Sequence, residues 1–435
     1  QWLLMKIYQS MFETIKLMNT IKDKVQLSVD ESILNKVIFQ LEIGEIDTFN
    51  KSNINLTIDT LNNDLNNIFK KFGQIRCVLL LDDAAHAFSE EEQRDFFDLF
   101  RQLKSTSIAP KAAIYPGITN YSSSFHVGHD AEEIDVWIRP DNEQYLSFCS
   151  DLLEKRLPSD IFEELKKDPS LLELISFAAF GIPRSLLNII NYSISGKDLK
   201  FTTKKIKDAI KKHMHENVNI FLSLKSKLPM YENFIINGDR LYKNLITIIK
   251  EYNNGKEIDK KTFVIAVNET LGIPNEIKKV FGFLQFSGLV APRGKMSRGD
   301  KGIYLLYEIH YAALISANTI IISRGFNIKE IVKALKHKDS RIVVRPSISL
   351  VLGNLNVEKE FKFSLPPCQD CGEERTSENQ KFCMECGAEL KSVSIFDTVV
   401  NQKIESLPKL TTKRIQLIKK HTKIITIKDI LMDTD

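Results

Sequence analysis

Apolar residues in the first part of the chain occur in two patterns. Residues 1–18 carry them at helical spacing, whereas residues 77–81 form a continuous apolar run. A run without alternation is typical of a strand buried on both faces of a parallel sheet. A capped helical pattern through Leu103 and a second strand-like segment, Lys111–Tyr115, follow it. Strand, helix and strand at this spacing predict a parallel crossover unit in an α/β core.

Polar side chains follow both predicted strands. Asp82 and Asp83 come directly after the first strand, and Thr119 and Asn120 come shortly after the second. Ligands of open α/β sheets bind beyond the carboxyl ends of the strands. In a phosphate-handling site the first carboxylate would hold Mg²⁺ and the second would orient the attacking water. An α/β core with incidental acidic turns is the alternative.

A helix start carries the next candidate for phosphate contact. Gly181-Ile182-Pro183 breaks one helical pattern, and Arg184 begins the next. Backbone N–H groups at a helix start attract anions, and an arginine there adds a planar, permanently charged donor. The sequence therefore makes Arg184 a candidate for contact with an incoming phosphate.

These segments together resemble the AAA+ and STAND class of P-loop ATPases, especially the origin-recognition-like subgroup. The resemblance covers about residues 1–190. It implies a parallel-sheet ATPase core over residues 1–140, a helical lid over residues 141–200, and ATP with Mg²⁺ as cofactors. The whole chain is then a multidomain α/β plus α protein.

The resemblance also implies a role for each candidate residue. Asp82 and Asp83 match the Walker B position and would be catalytic, with Asp82 also binding the cofactor. Thr119 and Asn120 lie where the family carries its sensor-1 polar residue and would bind the cofactor. Arg184 matches the sensor-2 arginine, which contacts the terminal phosphate, and would be both catalytic and cofactor-binding.

One part of the resembled pattern is absent from the sequence. No Gly-x-x-x-x-Gly-Lys-Ser/Thr motif occurs, so the chain lacks a backbone cradle and lysine for phosphates. In the family this loop leads into a helix like that of residues 1–18, and we expect the chain to begin just after it. ATPase activity then depends on an upstream loop. A degenerate relative that binds no nucleotide is the competing expectation.

Two smaller features of this region have alternative interpretations. His126, His129 and Asp130 are residue types that bind metals, but Gly128 breaks any helix that would align them, so a polar loop is favoured. Arg139 is a candidate arginine finger towards a neighbouring subunit, although nothing in its spacing requires that role.

The formal net charge of +4 conceals a division along the chain. Residues 1–190 hold 19 basic and 29 acidic residues, whereas residues 191–345 hold 28 basic and 14 acidic ones. A basic block beside an acidic one indicates a polyanion-binding module beside a module with another task. Solvated, lysine-rich helix faces are the alternative.

Within the basic block, residues 201–345 contain a pattern that resembles a winged helix. In order, it predicts a helix at Leu241–Tyr252, a helix capped by Asp259 through Val264 and Val267, a helix opened by Pro274, a strand at Gly288–Ala291, a loop at Pro292–Lys301 and a strand at Ile303–Ile309. The third helix would enter the major groove of double-stranded DNA. The predicted DNA-binding residues are Lys278 and Lys279 on that helix and Arg293, Lys295, Arg298 and Lys301 in the loop. A winged helix that contacts proteins is the alternative.

Two C-x-x-C knuckles separated by eleven residues provide the most specific motif. Cys368 and Cys371 form the first pair, and Cys383 and Cys386 form the second. Four thiolates at this spacing predict a closed tetrahedral zinc site, and residues 346–392 resemble a zinc ribbon. A structural ion is expected because protein fills all four positions. Two disulfides or an iron centre are the alternatives.

The tail, residues 393–435, resembles a helix-hairpin-helix unit. Lys409 stands where that family carries a glycine, which puts the backbone contact with a DNA phosphate in doubt. Four basic residues keep the following helix positive: Lys413, Arg414, Lys419 and Lys420. An amphipathic helix that docks on a partner is the alternative.

These features favour an ATP-dependent DNA-binding switch, with double-stranded DNA, protein partners and further copies of the chain as partners. A non-enzymatic DNA-binding or adaptor protein with a degenerate core is the alternative, and a transcriptional regulator is a third possibility. The longest nearly apolar stretch, Tyr311–Ile322, is too short to span a membrane. We therefore expect a cytoplasmic protein.

Overall fold

The computed structural model describes residues 1–17, 26–42, 54–82, 90–115, 117–194, 199–320, 325–336, 342–375, 380–390, 402–407, 410–422 and 424–432. Their contacts form two compact units. The first unit takes in the described residues of Gln1–Ile114, Asn120–Glu132 and Lys391–Asp435. The second takes in those of Tyr115–Thr119 and Glu133–Leu390. Over the described residues the fold is mixed α/β, as the sequence predicts, and it is mostly helical with two small sheets.

The first unit is built around a helix–strand–helix–strand succession. Its elements are α1 (Trp2–Leu17), α2 (Glu31–Glu42), α3 (Ile58–Phe72), β1 (Cys77–Leu81), α4 (Glu90–Leu103) and β2 (Ile108–Ala112). β1 and β2 pair in parallel, from Cys77 opposite Ile108 to Leu81 opposite Ala112. The predicted parallel crossover is therefore confirmed.

The prediction that β1 is buried on both faces is wrong for the described residues. Cys77 and Leu79 pack on the apolar core formed with α1, α2 and α3. Val78 and Leu80, which point to the opposite face, are 54% and 74% exposed. The reason is that the described helices cover only one face of this two-stranded sheet. The second strand also begins earlier than predicted, because Ile108 is the residue that enters the core.

A buried carboxylate fixes the helices of the first unit. The hydroxyl of Tyr8 on α1 donates to Asp64 on α3 at 2.7 Å, and the backbone N–H and hydroxyl of Ser28 also donate to it, each at 2.9 Å. These three donors satisfy a side chain that is almost fully buried. The arrangement joins α1 to α3 and also holds the segment that precedes α2.

The second unit begins with four helices and continues through two long ones. They are α5 (Tyr145–Arg156), α6 (Ser159–Lys166), α7 (Pro169–Ala178), α8 (Pro183–Ser193), α9 (Thr203–Lys227) and α10 (Glu232–Asn253). The break between α7 and α8 lies at Gly181, as the sequence predicts. Phe180 and Gly181 both have positive φ angles, of 55° and 76°, and these reverse the chain direction there.

A three-stranded antiparallel sheet follows α10. Its elements are β3 (Val264–Asn268), α11 (Asn275–Phe286), β4 (Val290–Ser297), β5 (Ile303–Ile309) and α12 (Tyr311–Ser316), with strand order β3-β5-β4. Pro274 directly precedes α11, and β5 has the predicted bounds, so both expectations are confirmed. β4 extends through Ser297 and takes up the first six of the ten residues of the predicted loop.

The predicted helix from Asp259 through Val267 is wrong. Ile258–Lys260 is a single 3₁₀ turn, and Val264–Asn268 is a strand. The β-branched residues of this segment favour an extended chain, and they pair with β5 and with Val344. Tertiary pairing therefore overrides the capping signal.

The remaining described elements are short. They are α13 (Ile328–Lys336), α14 (Ile348–Leu352), α15 (Val357–Glu360), α16 (Thr412–His421) and α17 (Ile427–Met432). An isolated bridge joins Lys403 to Thr426 in the tail, and Lys409 lies outside the described residues. Among the described helices, none has the length and apolar character needed to cross a bilayer.

Candidate nucleotide, DNA and metal sites

The residues at the ends of β1 and β2 are held by short backbone contacts. Asp82 follows β1 and is exposed, whereas Asp83 lies outside the described residues. The carbonyl of Leu81 accepts the N–H of Ala113 at 2.9 Å, which extends the pairing of the two strands. The carboxylate of Asp82 is therefore presented at a strand end of fixed position, where a magnesium ligand is expected.

Asn120 is fixed by a buried glutamine on α4. Its backbone N–H and its side-chain Nδ2 both donate to Oε1 of Gln93, at 2.6 and 3.1 Å. Gln93 is almost fully buried, so this acceptor does not exchange freely with water. Thr119 instead belongs to the second unit, and its hydroxyl donates to the carbonyl of Tyr115 at 2.7 Å.

Arg184 lies in the first turn of α8 with an exposed side chain. Among the described residues it forms no hydrogen bond or ion pair. Pro183 opens the helix, and its missing N–H is no loss at that position. The guanidinium is thus placed at the positive end of a helix and remains free to contact an anion.

The turn before α8 is fixed by residues that the sequence pattern did not single out. A Cβ on Gly181 would lie 2.3 Å from the carbonyl oxygen of Ile138 and 2.5 Å from Nε1 of Trp137. The Trp137 indole donates to the carbonyl of Phe180 at 2.8 Å, and the Tyr145 hydroxyl accepts the N–H of Gly181 at 3.0 Å. These contacts require a glycine and hold the start of α8. The sequence signal for this turn is Gly181 shortly before the helix-opening Pro183.

The histidine loop is a polar turn. The backbone N–H of His126 donates to the carboxylate of Asp130 at 2.7 Å, and Lys104 donates to the carbonyls of His129 and Asp130. These residues form no candidate metal cluster in the part of the chain that the structure describes. Arg139, in the second unit, pairs with Asp135 of that unit at 3.0 Å.

Four of the predicted DNA-binding residues are exposed. Lys278 lies on α11, Lys295 lies on β4, and Arg298 and Lys301 lie in the turn between β4 and β5. Lys295 pairs with Glu269 at 2.8 Å, which screens part of its charge. The other three present their charge to solvent.

Arg293 and Lys279 instead contact neighbouring side chains of the second unit. Nη1 of Arg293 lies 2.6 Å from Asp141 and 3.2 Å from Glu308. Burial raises the pKa of Glu308, and the charge of Arg293 opposes that rise. The ammonium of Lys279 donates to the hydroxyl of Tyr231 at 2.7 Å and lies over its ring. The sequence predicts both cations as DNA contacts from their positions on the third helix and in the loop. It does not reveal the side chains that they contact instead, because these lie far away in sequence.

The four knuckle cysteines converge. All their Sγ atoms lie within 4.8 Å of one another, with 3.6 Å between Cys368 and Cys386 and 3.5 Å between Cys371 and Cys383. A tetrahedral zinc ion with Zn–S bonds of about 2.3 Å requires S–S distances of about 3.8 Å, so this arrangement is compatible with zinc. The cysteines are free rather than disulfide-bonded. Backbone N–H groups of Cys371 and Asp370 lower the pKa of the Cys368 thiol to about 7, whereas the pKa values of Cys371 and Cys386 are raised, because neighbouring thiols oppose the effect of their backbone N–H groups.

The tail presents a basic helix. Lys413, Arg414 and Lys420 on α16 are exposed, and Lys419 pairs with Glu405. The carboxylate of Asp429 accepts the N–H groups of Ile425 and Thr426, which orders the start of α17. DNA contact and docking on a protein partner both stay predictions for the tail.

A family model described as ORC-CDC6-like matches residues 8–271, which is more than half of the chain. The match covers β1 with Asp82, α8 with Arg184, and β3, and it ends before α11, the β4–β5 turn and the cysteines. No curated protein and no solved structure matches the chain.

Proposed function

The chain belongs to the ORC-CDC6-like family, and from that premise we propose that it is an ATP-dependent DNA-binding switch with a DNA-replication-related role. The observation that carries the proposal is that one family match covers both the strand that ends at Asp82 and the helix start that carries Arg184. In this proposal, nucleotide in the core controls how the second unit engages DNA or partners.

The residues at the proposed nucleotide site are suited to Mg²⁺ and phosphate. Mg²⁺ with ATP would supply the charge and the transferable phosphoryl group. The exposed carboxylate of Asp82 would hold the ion, and the free guanidinium of Arg184 would contact the terminal phosphate. Asn120, which Gln93 holds by two hydrogen bonds, would supply a further polar contact to the nucleotide. The role of Asp83 stays a prediction.

DNA engagement is assigned to the exposed cations around α11 and the β4–β5 turn. Lys278, Arg298 and Lys301 would contact phosphates, with a smaller contribution from Lys295. Arg293 and Lys279 would shape this surface through their contacts within the second unit. The β3-β5-β4 sheet with α11 before β4 supports a winged-helix relative that carries a strand where its second helix was expected.

The cysteine cluster would hold a structural zinc ion. Four thiolates would fill every coordination position, so the ion would stabilise residues 368–390 and would not act on a substrate. The described residues of this segment include Asp370, Glu373, Glu374, Glu385 and Glu389 and only two basic residues. This acidic character favours a protein contact over a DNA contact for the ribbon.

The DNA part of the proposal is tested by the salt dependence of binding. Fluorescence anisotropy with a labelled duplex should show that Lys278→Gln, Arg298→Gln and Lys301→Gln together lower the slope of log K against log salt by about two to three. The matched control is Lys36→Gln, Lys155→Gln and Arg156→Gln, which removes three exposed charges elsewhere. Equal slopes for both triple variants would show that this surface does not bind DNA.

A non-enzymatic DNA-binding or adaptor protein is the second candidate. It is favoured by one observation, the absence of a Gly-x-x-x-x-Gly-Lys-Ser/Thr motif from the sequence. The coding sequence upstream of Gln1 separates the two candidates. With a phosphate loop encoded there, Arg184→Ala in the longer protein should weaken Mg-ATP binding by about tenfold or more, as for loss of a charged hydrogen bond. Without one, and with no ATP binding, the adaptor function is supported.

A further inference from the structure

A leucine in the loop between β3 and α11 is almost fully exposed. Leu271 is 84% exposed, whereas Ile273, two residues further along the same loop, is 5% exposed and belongs to the core. A single exposed leucine is common on protein surfaces and by itself needs no explanation. Two further observations distinguish Leu271: the contacts that hold its loop and the charges beside it.

The loop is fixed to the turn between β4 and β5 within the second unit. The N–H of Glu269 donates to the carbonyl of Ile303 at 2.8 Å, and the N–H of Ile303 donates to the hydroxyl of Thr270 at 2.8 Å. Within the loop, the N–H of Leu271 donates to the side-chain oxygen of Asn268 at 3.1 Å. The backbone of the leucine is therefore ordered before any ligand arrives, which lowers the entropy cost of binding.

The same loop lies beside the cations of the proposed DNA surface. The side-chain amide of Asn268 donates to the carbonyl of Lys301 at 3.1 Å. Arg298 and Lys301 outnumber the one carboxylate of the β4–β5 turn, Asp300, so the turn is net positive. At its other end the loop leads directly into α11. Leu271 thus belongs to the segment that joins the two parts of this surface, the turn and α11.

We infer that Leu271 is an apolar wedge that enters a DNA groove and opens a step of the base stack. The inference rests on the proposed function, in which the neighbouring cations contact phosphates. Architectural proteins insert leucine and similar side chains between base pairs, and their cations contact the backbone on either side. The stacked bases are the part of this polyanion that an apolar side chain among cations fits. Insertion would kink the duplex.

Energy transfer between dyes at the two ends of a duplex of about 25 base pairs measures the kink. Saturating wild-type protein should bring the ends closer, as a kink of about 20–90° does. Leu271→Ala should remove most of this change, whereas Leu271→Met, which keeps a long apolar side chain, should retain it. The matched control is Leu350→Ala on α14, at a leucine of the second unit that is 49% exposed.

Binding affinity gives an independent reading because leucine carries no charge. Leu271→Ala should weaken binding by about tenfold at every salt concentration, since an apolar side chain is no longer buried on the DNA. The slope of log K against log salt should stay unchanged, in contrast to the triple charge variant. The urea midpoint of unfolding should also stay unchanged, because the side chain is largely exposed in the free protein.

The outcomes separate this inference from the proposed function. If the chain binds DNA with the expected salt slope but Leu271→Ala bends the duplex as the wild type does, the wedge is wrong and the proposed function stands. Weaker binding with unchanged bending would place the leucine outside the base stack and would also overturn the wedge. Unchanged binding and bending would point to a protein partner for Leu271. If the triple charge variant keeps the wild-type slope, the DNA surface is wrongly assigned and the wedge falls with it.

Discussion

Nη1 of Arg293 lies 2.6 Å from Oδ2 of Asp141. The side chain of Arg293 is 17% exposed and that of its other partner, Glu308, is 4% exposed, so the cluster is largely removed from water. The hydroxyl of Tyr311 donates to Glu308 at 2.5 Å and satisfies a further lone pair. This cluster ties β4 and β5 to the segment that precedes α5, all within the second unit.

Replacement of Arg293 should therefore affect stability and leave the DNA-contact surface charged. Arg293→Ala would leave Glu308 buried without its cation, and we expect the free energy of unfolding to fall by about 3 kcal/mol. Arg298→Ala, which removes an exposed charge from the neighbouring turn, should change it by about 0.5 kcal/mol or less. Urea denaturation measures both. Equal effects would mean that the Arg293 cluster contributes no more than a surface charge does.

The turn before α8 gives a second prediction. Gly181→Ala combines strain at a positive φ, about 1–2 kcal/mol, with overpacking against Ile138 and Trp137, about 1–3 kcal/mol. Thermal unfolding should show a clear loss, and Trp137 fluorescence should shift because its indole hydrogen bond is disturbed. Gly73→Ala is the matched control, since Gly73 has φ 66° and no atom within 4 Å. A loss no greater than that of Gly73→Ala would contradict the packing argument.

Two buried histidines predict a pH dependence of stability. The rings of His213 and His310 lie 6.1 Å apart. Burial lowers the pKa of His213 to about 4 and that of His310 to about 3; Glu216 partly opposes the shift of His213. In the unfolded chain both histidines have a pKa of about 6.5. Below that pH the unfolded chain binds protons that the folded chain does not, so stability present above about pH 6.5 is lost as the pH falls towards about 4.

The size of this effect is measurable with one variant. Each histidine should lower the free energy of unfolding by up to about 1.4 kcal/mol per pH unit across that window. His213→Gln removes one of the two groups, and urea titrations at pH 7, 6 and 5 should show a shallower pH dependence than wild type. An unchanged dependence would show that other groups dominate acid unfolding.

Metal removal provides a further prediction. The protein should contain about one zinc ion per chain, and a strong chelator should unfold residues 368–390 because their described apolar core is small. Cys371→Ser should lower the zinc content, whereas Cys149→Ser, at a buried cysteine outside the cluster, should retain it. Metal analysis and hydrogen exchange measure the two effects. Iron in place of zinc would support the alternative metal centre.

Local signals predicted the parts of the fold that local chemistry determines. Pro274 marks the start of α11, Gly181 marks the break before α8, and the cysteine spacing alone indicated the cluster. Each of these depends on residues that are neighbours in sequence. The strand at Val264–Asn268 was missed because its pairing with β5 and Val344 outweighs the local helix-capping signal of Asp259.

The candidate sites were predictable as residue types and less so as surfaces. Lys279 and Lys278 are adjacent and look equivalent in sequence, yet only Lys279 has an aromatic hydroxyl from Tyr231 within hydrogen-bond distance. Arg293 and Arg298 differ in the same way, because Asp141 lies far from Arg293 in sequence. Charge patterns identify a basic region, but which cations are free depends on folding.

The length of α9 has a consequence for how the protein can be divided. With 25 residues, the helix spans about 37 Å, and it packs against α7, α8, α10 and α12. A gene fragment that stops at residue 200 would strip α8 of its covering helix, and one that starts at residue 228 would do the same to α10. Both fragments lack Ile210 and Phe221, which are buried in the whole protein, so the apolar surfaces that these side chains cover would become exposed and prone to aggregation. Soluble fragments of the second unit should therefore keep α9 together with α8 and α10.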